Sequence, residues 1–185
     1  MYSARLRYRV DCVAQSSAIL PKHTLRFHKK GSDGSAKCDA FFTDVEADRV
    51  IGVLFDIPEA EKRKLDAAEG LGKGYNEKHV NVLTPDGSLR DAFLYVADRA
   101  AMDERIRPYS WYRDFVISGA TEHSLPPDYI GAYILPVQAT KDPDAGRDKR
   151  ERAKIKAESV STRDASLLRE PRDRDRQSST DRRRF

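Results

Sequence analysis

Residues 50–57, Val50-Ile51-Gly52-Val53-Leu54-Phe55-Asp56-Ile57, followed by Pro58 and then by Leu65-Asp66-Ala67-Ala68-Glu69-Gly70-Leu71-Gly72-Lys73-Gly74-Tyr75, decide how the chain is read. The β-branched and aromatic run predicts a buried core strand. Pro58 suits the first turn of a helix, with Asp56 near its start. Glu59 to Glu69 continues without a breaker, so the helix is expected to end at Gly70.

Downstream, Glu77 to Leu83 and Ser88 to Val96 alternate polar and apolar residues around Pro85-Asp86-Gly87, which predicts a β-hairpin. Trp111, Phe115, Val116 and Ala120 fall at helical spacing, and a second helix over Leu125 to Leu135 opens on Pro126 and Pro127. Upstream, Leu25 to Lys29 and Ala40 to Val45 read as strands separated by the turn-forming Gly31-Ser32-Asp33-Gly34-Ser35. Residues 3–10 suit a short helix carrying Leu6 and Val10 on one face.

The 185 residues fit one domain and an appendage. Residues 1–137 carry 19 Lys and Arg against 20 Asp and Glu, whereas residues 138–185 carry 15 against 10. The pI near 9 therefore belongs to the C-terminal segment. It gives no support for a nucleic-acid-binding face on the folded body, and a contact of the basic segment with nucleic acid or anionic lipid is weakened by its interleaved acids. A folded domain over 1–138 and a disordered or transiently helical charged tail over 139–185 are expected, because the tail has too little apolar surface to offset chain entropy. No apolar run is long enough to span a bilayer, so no membrane partner is expected. Cys12 and Cys38 lack CxxC spacing or a neighbouring His, so neither a metal site nor a redox pair is expected, and a reducing cytoplasm is the expected compartment. His23, His28, His79 and His123 show no ligand spacing and read as structural or surface residues, His23 in a loop.

Glu69 is the residue around which chemistry gathers. The unsatisfied carbonyls of a helix's last turn disfavour a carboxylate, and Asp66 on the same face pushes in the same direction, so its pKa is expected to be raised. A carboxylate tuned upward suits a general base. On these residues alone an ordinary exposed Glu at a helix terminus, followed by a loop that needs glycines for its turns, is the favoured reading.

The order Gly52-Val53-Leu54-Phe55, Leu65-Asp66-x-x-Glu69-Gly70 and Tyr75, with Pro108-x-x-x-Tyr112, Gly119-Ala120 and Glu122-His123-x-Leu125-Pro126-x-x-Tyr129 farther on, resembles the gamma-glutamylcyclotransferase superfamily over roughly residues 1–135. The resemblance implies an α+β fold, a mixed barrel-like sheet flanked by helices. It also implies cyclisation of a small-molecule γ-glutamyl amine or amino acid to 5-oxoproline, with Glu69 as general acid/base, Tyr75, Tyr112, Gly70 and Gly74 as substrate-binding residues, and no cofactor. Family members begin with a strand ending in a Tyr-Gly-Ser-Asn loop, which is not found here. Met1-Tyr2-Ser3-Ala4-Arg5-Leu6 resembles the residues directly after that loop, so Met1 is expected to be an internal methionine. Without the loop, unpaired sheet edges and a severe loss of activity are expected. A degenerate, non-catalytic binding or regulatory protein of the same fold is the rival expectation.

Overall fold

A computed structural model of the chain describes residues 2–165 and 181–185. Strand β4 (Arg49–Pro58) is its axis, as the Val50–Ile57 run predicts. Val53, Phe55 and Ile57 are buried on one face against Leu6, Val10, Leu65, Phe93, Ala120, Leu125 and Tyr129. Val50 and Leu54 are buried on the other against Ala18, Leu20, Val82, Ala92 and Leu94. A strand covered on both faces requires side chains from helices on one side and from neighbouring strands on the other, which fixes a layered α+β architecture.

In chain order a one-turn helix α1 (Ser3–Arg7) is followed by β1 (Val13–Pro21), β2 (His23–Lys30), β3 (Ala36–Phe42) and β4. A single 3-10 turn, Glu59–Glu61, leads into α2 (Lys62–Glu69), and β5 (Tyr75–Leu83) and β6 (Leu89–Ala97) form the hairpin expected around Pro85-Asp86-Gly87. Helices α3 (Ser110–Glu122), α4 (Pro127–Tyr133) and α5 (Ala145–Ala165) precede a four-residue strand β7 (Asp181–Arg184). The sheet is a closed barrel in the order β1-β4-β7-β6-β5, with β2 and β3 as a separate two-stranded ribbon. The expected mixed, barrel-like sheet flanked by helices is thus observed.

The strand expected over Ala40 to Val45 is Ala36–Phe42, and three other segments differ from expectation. Val13–Pro21 was not expected to be a strand, because Gln15, Ser16 and Ser17 mask its period. Only Ala18 and Leu20 turn fully inward, and pairing with β4 from Val13↔Asp56 to Pro21↔Arg49 holds the rest. His23 is not in a loop: it is buried at the start of β2, its Nδ1 2.6 Å from the Pro21 carbonyl.

The third difference lies in the charged segment expected to be disordered or transiently helical. Its Ala145–Ala165 stretch is a helix, docked where Arg152 meets Asp114 at 2.6 Å and Ser110 at 2.6 Å on α3. Asp142, fully buried, anchors the approach to it by accepting from Trp111 Nε1 at 2.8 Å and from the Arg147 guanidinium at 2.6 Å. Asp181–Arg184 pairs antiparallel with β4, from Pro58↔Asp181 to Phe55↔Arg184, and parallel with β6 at Phe93↔Arg184. Polar docking and backbone pairing hold these stretches, helped by Ile155 against the Tyr2-Tyr109-Trp111-Phe115 cluster and by Phe185 at the chain's end. The part of the expected tail at 166–180 lies outside the described residues.

Candidate functional site

Helix α2 delivers Glu69 as its last residue. Gly70 follows in the left-handed region at φ 75°, which lets its N–H turn back to the Asp66 and Ala67 carbonyls while Leu71 N–H bonds to Asp66 O at 2.9 Å. The chain then crosses Gly72 and Gly74, also at positive φ, and enters β5 at Tyr75. At Gly74 a Cβ would stand 3.2 Å from Ala101 Cβ and 3.2 Å from Lys29 Cε, so only glycine lets the loop lie against β2.

The Glu69 side chain is 13% exposed, and its Oε1 is held by two guanidiniums: Arg9 Nη1 at 2.6 Å and Arg184 Nη2 at 3.1 Å. Arg9 lies in the turn after α1, and Arg184 comes from β7, so the two ends of the described chain meet on one carboxylate. Burial alone pushes the Glu69 carboxyl up, but Arg184 and Arg9 together outweigh it and hold the pKa below its ordinary 4.5. The raised pKa expected from the helix terminus is therefore corrected. Full charges within hydrogen-bond reach dominate the partial charges of a helix end. Asp66 binds Lys62 and accepts the Tyr95 hydroxyl at 2.5 Å, and it is not among the leading influences on the Glu69 carboxyl.

Tyr75 and Tyr112 converge on one peptide. The Tyr75 hydroxyl donates to Cys38 O at 2.9 Å and the Tyr112 hydroxyl accepts from Cys38 N at 3.0 Å. Burial raises the pKa of both phenols, with the Cys38 and Glu69 charges adding to the effect at Tyr75. Both are therefore neutral donors or acceptors at physiological pH, not bases. Gly70 and Gly74 flank the loop that joins Glu69 to Tyr75, so four of the five expected site residues form one continuous turn, and Tyr112 reaches it from α3 through Cys38.

Three cations of this neighbourhood were not anticipated. Arg9 and Arg184 touch Glu69 directly, and Lys29, 7% exposed on β2, sets its ammonium 4.4 Å from the centre of the Tyr75 ring. Burial pushes the Lys29 pKa down, partly offset by the charges of Glu69 and Asp33. In sequence, Lys29 is one of a Lys-Lys pair in an unremarkable strand and Arg184 one of three consecutive arginines, so no local pattern marks either.

Beside the site, a cleft of about 650 Å³ runs along α2, lined by Glu59, Lys62, Asp66, Leu71 and Glu77 among others. Lys62, in its lining, bridges Asp66 and Glu77. Among the described residues there is no group of three or more His, Cys, Asp or Glu placed to hold a metal ion. No helix among them is long and apolar enough to cross a membrane.

A five-stranded closed barrel with a two-stranded ribbon, flanked by helices, is the gamma-glutamylcyclotransferase-like fold. Known proteins agree with this. Residues 49–132, from β4 through most of α4, match the model of the AIG2-like family. A solved gamma-glutamyl cyclotransferase superimposes with a TM-score of 0.71 at 20% identity, over 84% of this chain and 92% of its own. The crystal structure of an uncharacterized protein from Homo sapiens superimposes equally well, with a TM-score of 0.71, 20% identity and the same coverage. No curated protein sequence matches the chain.

Proposed function

We propose that the chain is a gamma-glutamylcyclotransferase-type enzyme that cyclises a γ-glutamyl amine or amino acid to 5-oxoproline, with Glu69 as general acid/base. The observation that carries the reading is the Glu69 carboxylate itself, largely buried and set at the mouth of the glycine loop in a fold shared with a gamma-glutamyl cyclotransferase. Its two arginines keep it ionised at neutral pH and so able to accept a proton. It takes one from the substrate's α-ammonium, and the freed amine attacks the γ-carbonyl carbon. The new C–N bond closes the five-membered ring, the bond to the leaving nitrogen breaks as Glu69 returns the proton to that nitrogen, and the second proton of the ring nitrogen passes to the released amine, which departs as an ammonium ion. Because the attack is intramolecular, holding the γ-glutamyl chain folded supplies much of the acceleration.

The test is release of 5-oxoproline from a panel of γ-glutamyl dipeptides and γ-glutamyl amines. Glu69→Gln, which keeps the size and the hydrogen-bonding oxygen, is expected to lower kcat by about 10²- to 10⁴-fold. The second reading, a non-catalytic binding or regulatory protein, is favoured by the pairing of Glu69 with Arg9 and Arg184, which is also what a structural ion pair looks like. No release from the folded chain across the panel, together with a lower melting temperature for Glu69→Gln, decides for that reading.

A further inference from the structure

Charge around Glu69 does not balance. Arg9 and Arg184 share its single carboxylate, and Lys29 stands on the neighbouring Tyr75 ring, so three cations face one anion. The other nearby carboxylates are engaged elsewhere: Asp66 with Lys62 and Tyr95, Asp39 with His28 and the Ala97 N–H, Asp33 with Lys37 and Ser35. Two of the cations also have unused donors. Arg184 is 4% exposed, and its Nε and Nη1 are buried with no hydrogen-bond partner among the described residues. Lys29, nine-tenths buried, has an aromatic face but no oxygen acceptor among them; its ammonium lies 3.4 Å from where a Cβ on Gly74 would be.

Buried donors without acceptors are costly, and a surplus of buried positive charge is costlier still. Both costs are relieved when a small anion arrives: the unpartnered Nε–H and Nη1–H groups of Arg184 each offer a charge-assisted hydrogen bond to a carboxylate oxygen, and Lys29 adds a second cation. We propose that Arg184 and Lys29 form a receptor for a carboxylate, and that it takes the α-carboxylate of the γ-glutamyl substrate whose α-ammonium faces Glu69. This assignment rests on the cyclotransferase reading. It makes β7 a part of the binding site as well as of the barrel.

The experiment is calorimetric titration of the full chain with 5-oxoproline, which keeps the carboxylate, with 5-oxoprolinamide, which has the same ring without it, and with glutarate. The acid is expected to bind at least about 10-fold more tightly than the amide, as loss of a charge-assisted hydrogen bond in a buried site implies. Lys29→Met and Arg184→Gln should each remove most of that discrimination, and Arg184→Lys should restore part of it. Equal binding of acid and amide by the unmodified chain overturns the receptor whatever the variants do. Tighter binding of the acid by Arg184→Gln overturns it as well, since Arg184 would then be blocking the site. Glutarate bound with the same dependence on Lys29, while 5-oxoproline is ignored, keeps the receptor and removes the γ-glutamyl reading. Release of 5-oxoproline from a γ-glutamyl dipeptide without acid-over-amide discrimination does the reverse.

Discussion

Glu69 is ionised by its neighbours and desolvated by its burial, and the two influences have opposite signs. Arg184 and Arg9 win, so the folded pKa lies below 4.5. The stabilisation from these pairs is therefore present above the unfolded value and is lost as pH falls through the folded one. In a rate profile the acid limb of kcat/KM should accordingly lie below the ordinary glutamate range. Arg9→Gln should move that limb upward, and an unmoved limb would mean that another group titrates. The position of Glu69 could be read from sequence because a helix ended by glycine is a local pattern. Its pKa could not: the Arg184 contact spans 115 positions, and nothing in Arg182-Arg183-Arg184 indicates which guanidinium turns inward.

Among the elements, those with strong local chemistry were legible. The Val50–Ile57 run, the Pro85-Asp86-Gly87 hairpin, the Gly70 stop and Pro127 at the start of α4 all act within a few residues, and each is found in place. The elements that escaped, β1 with its polar middle at Gln15-Ser16-Ser17 and the charged β7, are made into strands by pairing with their neighbours' hydrogen-bonding edges. Helix α5 lies in the segment expected to be disordered or transiently helical, and is held at its start by the Arg152 and Asp142 contacts. Gly70 itself can be tested at this scale. Its φ of 75° disfavours any Cβ, so Gly70→Ala should cost about 1 kcal/mol, read from the urea midpoint at unchanged m-value. A neutral effect would show that the turn relaxes without strain.

For the molecule as a whole, closure of the barrel depends on five residues. Phe185 packs its ring on Gly52, where a Cβ would meet it at 2.9 Å, and its N–H bonds to Phe93 O at 2.9 Å. Deleting residues 181–185 should open β4 and β6 to solvent along unpaired edges. The expected outcome is a lower urea midpoint together with concentration-dependent association in light scattering. An unchanged monomer of unchanged stability would mean that β7 is not needed to close the sheet.

The place of β7 between β4 and β6 also orders events in time. Phe55 leaves the ribosome long before Arg184, its partner in the register, has been synthesised. Through that interval α2, the β5–β6 hairpin and the later helices can form from nearer contacts, while the gap in the barrel stays open and Glu69 has only Arg9. The final pairing joins distant parts of the chain, which is the slow kind of step. A nascent chain of this protein therefore passes through a stage in which an open sheet edge is exposed to other chains, and that is when a chaperone has most to protect.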